Sequence, residues 1–294
     1  MQLCNMCPRK CNVDRTNSSG FCGVNNKIII RKVMLHTFEE PILTSSSDKG
    51  SGTIFFAGCN LGCVYCQNYD VSHSNKGKEI SINELVDIFK LLENSGAGNI
   101  DLVSPTHFAD QIIEALKIYK PKIPVIWNTG GYENPETIAK LDGLVDIYLT
   151  DFKYKDNKLA LKYSKSNNYF ENAKNSLETM KKQQMKNVFV GGKLVSGIIV
   201  RHMVLPSFVK DSIAVLDTIK EILGNEAIIS IMSQYVPMGK AHEYNEINRR
   251  ITPLEYKTVV AHATKLGFKN AFIQDLESAS CSYTPNFNST IIDL

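Results

Sequence analysis

No apolar run in this 294-residue chain approaches the roughly 18 residues that a membrane span needs, and the opening MQLCNMCPRKCN lacks the basic-then-apolar order of a secretory signal. A cytoplasmic protein without a membrane partner is the resulting expectation. Charge of one sign is not in excess either: 33 Lys and Arg face 30 Asp and Glu, a formal net charge of +3, with no long run of one sign. Nucleic acid is therefore not an expected partner, and electrostatics select no substrate. Cysteine is nearly missing beyond residue 66, where Cys281 stands alone among Ser and Ala. Such a thiol is read as idle rather than as a hydrogen-atom donor or a ligand. Apolar residues are not scarce. They make up 43% of the chain against 21% charged, enough to fill a sizeable core and to exclude a disordered chain.

The other cysteines crowd into two sets, Cys4, Cys7, Cys11 and Cys22, then Cys59, Cys63 and Cys66. Without a secretory signal these thiols should stay reduced, and close clusters then read as metal ligands rather than disulfides. The second set follows the strand-like run Thr53-Ile54-Phe55-Phe56-Ala57-Gly58, so it lies in a loop fed by a strand. Closed zinc sites and ordinary electron-transfer clusters use four protein ligands. A compact triple, with no fourth cysteine and no histidine until His73, suggests an iron-sulfur cluster with one open iron. A zinc site completed by a distant residue is the competing reading.

The spacing C-x3-C-x2-C, with the aromatic Tyr65 before its last cysteine, resembles the signature of radical S-adenosylmethionine (SAM) enzymes. The resemblance implies that Cys59, Cys63 and Cys66 hold a 4Fe-4S cluster, that its open iron takes the amino and carboxylate groups of SAM, and that Tyr65 lies near the adenine. The branch most similar is that of the pyruvate formate-lyase activating enzymes and their activating-enzyme-like relatives. Asn128-Thr129-Gly130-Gly131-Tyr132 resembles the activases' D-T-N-G-F turn beside the methionine of SAM and a monovalent cation, with Asn128 where they have Asp. Val145 to Lys153 resembles their strand ending in D-x-K, which implies cofactor-edge roles for Asp151 and Lys153. Ile199 to Pro206 resembles a later strand that carries an Arg close to SAM, here Arg201. Met232-Ser233-Gln234-Tyr235 is similar to their L-P-Y-H region, which implies that Gln234 lies by the adenosyl group. The activases' G-G-E motif has no counterpart. Ile100 to His107 takes its place along the chain, with Ser104, Thr106 or His107 as acceptors for the SAM ammonium.

Periodicity predicts the fold independently. Ile82, Leu85, Val86, Phe89 and Leu92 recur at helical spacing, with Ser81 as N-cap and Gly96 as stop, so a helix is expected over 81–95. Strands are expected at 53–58, 99–104, 123–127, 145–150, 196–204 and 227–232. The other helices are expected at 108–119, 135–141, 169–185, 209–223 and 253–266. Strands alternating with helices imply a parallel sheet with helices outside, here a partial (β/α)6 TIM-type barrel with its reactive face at the strand C-termini. Residues 1–48 form a small N-terminal Cys-rich metal-binding appendage, 49–275 the barrel, and 276–294 a tail. His202, next to Arg201 on a strand, should face the opposite side as a core or surface histidine.

The N-terminal C-x2-C-x3-C-x10-C lacks a hydrophobic core of its own, and a metal can supply its folding energy. Four thiolates suit either structural zinc or a second 4Fe-4S cluster, and the spacing does not choose. The resemblance further implies flavodoxin or ferredoxin as reductant, SAM cleavage to a 5'-deoxyadenosyl radical, and hydrogen abstraction from a substrate. Activation of a glycyl radical enzyme leads the substrate readings, with a small molecule or peptide as the alternative. A non-enzymatic iron-sulfur or zinc scaffold, or an electron carrier, is the reading from another class.

Overall fold

The structure, a computed structural model, describes residues 3–276, 285–287 and 289–294. Its strands are β1 (Ile28–His36), β2 (Ser51–Phe56), β3 (Lys78–Ile80), β4 (Ile100–Val103), β5 (Val125–Thr129), β6 (Ile147–Asp151), β7 (Val188–Val190), β8 (Lys193–Met203), β9 (Ile228–Met232), β10 (Asn270–Ile273) and β11 (Ile292–Asp293). The main path runs β10-β9-β8-β6-β5-β4-β2-β1-β11. From β2 to β10 along that path every pairing is parallel, while β1 lies antiparallel to β2. The six expected strands are all present, each followed by a helix on the outer face, which gives the partial barrel.

Sequence and structure differ at the margins. β10 adds a parallel strand that the count of six βα units omits, because its apolar run, Ala271-Phe272-Ile273, is only three residues long. β1 extends the sheet into the 1–48 segment, and its sequence, IIIRKVMLH, breaks strict alternation. The helix Asn157–Ser164 was also not expected, since only Ala160, Tyr163 and Ser164 of its residues are buried. The 135–141 helix is shorter, Pro135–Ala139, whereas Val209–Leu223 and Pro253–Leu266 span the residues expected.

Local chemistry explains the helix limits. Ser81 and Glu84 form a reciprocal capping box at Ile82–Asn94, and Thr252 and Glu255 form another at Pro253–Leu266. The latter helix stops at Gly267, whose φ of 68° suits a residue without Cβ.

Alternation along the strands sorts two interiors. One set of residues faces the helices and forms the larger core, with Trp127, Tyr148, Val200 and Ile229 in it. The other set points into the barrel, where Ile126, Ile147, Leu149, Ile199 and Ile228 meet Leu43. Leu43 comes from the segment between β1 and β2, so that segment plugs the barrel floor with an apolar side chain. Further along each strand, two residues toward its C-terminus, the inward positions become polar: Asn128, Asp151 and Arg201 line a cavity above the plug. Among the described residues no helix is long and apolar enough to cross a membrane.

Candidate functional site

The cavity holds about 210 Å³ and opens at the strand C-termini. Its wall contains Cys59, Cys63, Cys66, Tyr65, Ser104, Asn128, Thr129, Asp151, Lys153, Arg201 and Gln234. Apart from Thr106 and His107, the barrel residues singled out in the sequence for cluster or SAM binding therefore face one space. The structure separates the three candidates for the missing acidic motif: Ser104 lines the cavity, whereas Thr106 donates to Glu133 Oε1 at 2.5 Å and His107 Nε2 lies 2.8 Å from the Ala57 carbonyl. Ser104 also has a φ of 54°, an unusual conformation for a residue with Cβ.

The cysteine loop is set by its backbone. Val64 N–H donates to the Tyr163 carbonyl at 2.8 Å and Gly62 N–H to that of Ser164 at 3.2 Å, which ties the loop to the helix Asn157–Ser164. Cys63 is buried, and Cys59 and Cys66 are half-buried on the cavity wall. Desolvation, reinforced by repulsion between the sulfurs, pushes the Cys59 thiol up to about 12 and Cys66 to about 11. Burial raises Cys63 as well, against the pull of Lys153. Three such thiols are poor anions alone, and a bound cation is what makes their thiolates affordable. Among the described residues no three His, Cys, Asp or Glu side chains converge on one point where a single ion would sit. A 4Fe-4S cube binds each thiolate at a different iron, so its ligands need to share a volume, and these three share one. The donor set fits the group.

Opposite the thiols is a charged ladder. Arg201 Nε donates to Asp151 Oδ1 at 2.9 Å, its NH2 group donates to Asn128 Oδ1 at 2.7 Å, and Lys153 Nζ meets Asp151 Oδ2 at 2.5 Å. Burial would raise the Asp151 carboxyl, but Lys153 and Arg201 outweigh it and hold it below the usual range. Burial likewise opposes the charge on Lys153, yet Asp151, Cys63 and Cys66 leave it at about 12. Both cations and Asp151 are thus charged at neutral pH. The sheet register places Asp151 beside Arg201, and strand pairing through β6 connects them to Asn128 on β5. Gly131 permits the turn after β5: its φ is 80°, and a Cβ there would lie 2.2 Å from the Asp151 carbonyl.

Two acids at this site went unread in the sequence. Glu39, in the segment that plugs the floor, lies 3.6 Å from Arg201 NH1. Asp101, fully buried on β4, accepts from Asn128 Nδ2 at 3.3 Å, and burial with the neighbouring Glu39 pushes its carboxyl well above the usual range. A charged residue in an apolar strand was a usable signal for Asp101. Glu39 had none, because its loop reaches the site only through the tertiary fold. His202 faces away from the cavity, with Nδ1 2.7 Å from the Phe152 carbonyl, and burial lowers it to about 4.

The N-terminal cysteines pack against the back of the loop. Cys11 and Cys22 Sγ lie 3.3 and 3.8 Å from a Cβ placed on Gly20, and Cys7 is raised to about 12 by burial, with Cys11 and Cys22 contributing. Burial raises Cys22 as well, with Cys4 and Cys11 contributing, so the four are neighbours. Cys281 lies outside the described residues.

The sequence matches the Radical SAM superfamily over residues 53–207. It is 33% identical over 272 residues to the uncharacterized protein MJ0674 of Methanocaldococcus jannaschii, covering 89% of this chain and 74% of that protein. The fold resembles the crystal structure of methylornithine synthase (PylB), with a TM-score of 0.52 at 15% identity over 90% of this chain and 72% of the other. It also resembles Streptococcus suis SuiB bound to S-adenosylmethionine, with a TM-score of 0.50 at 13% identity over 75% of this chain and 49% of the other. At such identities the two structural likenesses concern the fold.

Proposed function

Since this chain belongs to the radical SAM superfamily, whose members use a 4Fe-4S cluster and SAM, we propose that it is an activating-enzyme-like member whose substrate is a backbone loop of a glycyl radical enzyme. The observation that carries the site assignment is the meeting of Cys59, Cys63 and Cys66 with Asp151, Lys153, Asn128 and Arg201 around one cavity. Held by Cys59, Cys63 and Cys66, the cluster would supply the reducing electron for SAM cleavage and hence for hydrogen-atom abstraction from the substrate.

The chain's own residues bind and orient. Cys59, Cys63 and Cys66 would hold the cluster. Lys153 and Arg201 present fixed positive charge to a carboxylate, and Asp151 and Ser104 offer oxygens to an ammonium. Tyr65, Thr129 and Gln234 complete the wall, and Leu61 with Met232 covers it with apolar surface that limits water. No general base is needed for hydrogen-atom transfer.

Flavodoxin or ferredoxin is the reductant we infer, acting in the cytoplasm, and Cys4, Cys7, Cys11 and Cys22 are inferred to bind zinc or a second 4Fe-4S cluster. A second substrate reading, a small molecule or peptide, is favoured by Phe38, Met203 and Met232, whose apolar wall a backbone loop does not require. Anaerobic reconstitution with iron and zinc counting, followed by a 5'-deoxyadenosine assay, tests the chemistry. Mass spectrometry of a candidate partner should show oxygen-dependent backbone cleavage at a glycine. Deuterium transfer from a labelled small molecule into 5'-deoxyadenosine would eliminate the activase reading, and no SAM cleavage under dithionite would leave only a scaffold or carrier.

A further inference from the structure

We propose that Ser164 is a positioning residue for the barrel-mouth cluster, donating a hydrogen bond to the Cys63 thiolate at the end of a one-way chain of buried hydroxyls, and that Arg9 anchors that arrangement to the N-terminal cysteine segment. The inference deepens the proposed function and rests on it for the cluster.

Ser164 Oγ lies 2.9 Å from Cys63 Sγ, Tyr154 OH lies 2.8 Å from Ser164 Oγ, and Tyr65 OH lies 2.5 Å from Tyr154 OH. Each of the four residues is buried, with Ser164 fully enclosed. A ligating cysteine is a thiolate, which only accepts, so the Ser164 proton must point at sulfur. The serine oxygen then accepts from Tyr154, and the Tyr154 oxygen accepts from Tyr65. Each hydroxyl proton is used once, and the order Tyr65 to Tyr154 to Ser164 to Cys63 is fixed. In a dry interior such a chain polarises along its length, so the last bond is stronger than an isolated one. Hydrogen bonds to cluster sulfurs withdraw electron density and make reduction easier.

Arg9 stands between Cys7 and Cys11 in sequence. Its Nε donates to the Asn60 carbonyl at 2.8 Å and an NH2 group donates to that of Ser164 at 3.1 Å, while the other meets the Lys165 carbonyl. Its guanidinium lies 3.5 Å from the Phe21 ring centroid. One planar fork therefore fixes both the residue after Cys59 and the backbone of Ser164. Lys165 ends the helix with a φ of 51°, so the chain turns where Arg9 holds it.

The test is an EPR-monitored redox titration of the reconstituted full chain, following the signal that changes when SAM is added, which marks the open-iron centre. Ser164→Ala should make one-electron reduction about tenfold less favourable, ~59 mV. Tyr154→Phe, which keeps the ring, and Arg9→Lys, which loses the fork, should each shift the equilibrium in the same direction by about threefold. Ser164→Thr, which restores a hydroxyl, should return the potential toward wild type. Wild-type potentials in Ser164→Ala with full iron content would overturn the proposal. Should Ser164→Ala fail to fold or hold iron, an unshifted Tyr154→Phe would overturn it alone. A wild-type protein with no SAM-responsive cluster would instead overturn the proposed function, and this inference with it.

Discussion

The two cysteine regions touch, yet they are built by opposite means. Cys59, Cys63 and Cys66 sit in a loop fed by a wholly buried strand and clamped to the helix Asn157–Ser164 by backbone hydrogen bonds. Cys4, Cys7, Cys11 and Cys22 lie in a segment without helix or strand, held by short-range bonds such as Cys4 N–H to the Val13 carbonyl at 2.9 Å and by what it borrows from the barrel. Asn134 donates to the Asn5 carbonyl at 2.7 Å, and Thr137 donates to that of Met6 at 2.6 Å. The barrel specifies the geometry of its own loop, whereas the N-terminal segment needs an outside source of order. A metal there would contribute folding free energy first. At the mouth, a metal would contribute chemistry to a place already shaped for it.

The sharpest way to break this contrast is to remove one thiol from each side. Cys63→Ala should abolish 5'-deoxyadenosine formation, since one ligand of a three-ligand cluster is lost. Cys4→Ala should retain measurable SAM cleavage in the absence of substrate, with a lower unfolding midpoint. Loss of cleavage in Cys4→Ala as complete as in Cys63→Ala, with the SAM-responsive EPR signal of the mouth cluster still present in Cys4→Ala, would show that the N-terminal site is itself part of the electron path.

The seam between the regions gives the next test. Arg9→Ala removes the donor for three carbonyls and uncovers Phe21, and charged hydrogen bonds are worth about 1.5–3 kcal/mol each without adding fully. A loss of about 4 kcal/mol is expected, read by urea unfolding, together with faster iron loss from the mouth on gel filtration. A smaller change attacks the seam from the barrel side. Gly58 has a φ of 79°, and a Cβ there would lie 2.4 Å from the Cys22 carbonyl. Gly58→Ala should therefore cost about 3 kcal/mol, combining left-handed strain with overpacking. It should expose the N-terminal segment to limited proteolysis before the barrel is cut.

These tests fall on residues that the sequence showed unequally. Periodicity located the strands of the barrel because both their faces are buried, and Ser81 announced its helix through a local capping pattern. Site residues at strand ends, such as Asp151 and Asn128, were legible because strand position and motif coincide. Arg9 and Ser164 were not, since the bond between them joins residues 155 apart in the chain. Glu39 enters the barrel on a loop, and the apolar run of β10 is too short to announce a strand. Local order leaves a pattern in sequence; contacts closed by the tertiary fold leave none until the chain is assembled.

Glu133 provides the finest test of how the seam couples the two regions. It follows the turn after β5, and its Oε1 accepts from Thr106 and from Thr129, which lines the cavity. Its charge also raises the Cys7 thiol on the other side. Burial pushes the Glu133 carboxyl from 4.5 to about 7. The folded protein thus binds this proton more tightly than the unfolded chain, so the contribution to stability is full below about pH 4.5 and is lost as pH rises through about 7. Linkage gives a loss of about 2 kcal/mol between pH 5 and pH 7 from this group. Glu133→Gln keeps an acceptor for both threonines and has no proton to lose, so its stability profile should be flatter than wild type by that amount. Urea midpoints measured across the interval decide it: parallel profiles would place the Glu133 proton in ordinary acid titration and remove it from the coupling between the N-terminal segment and the cavity.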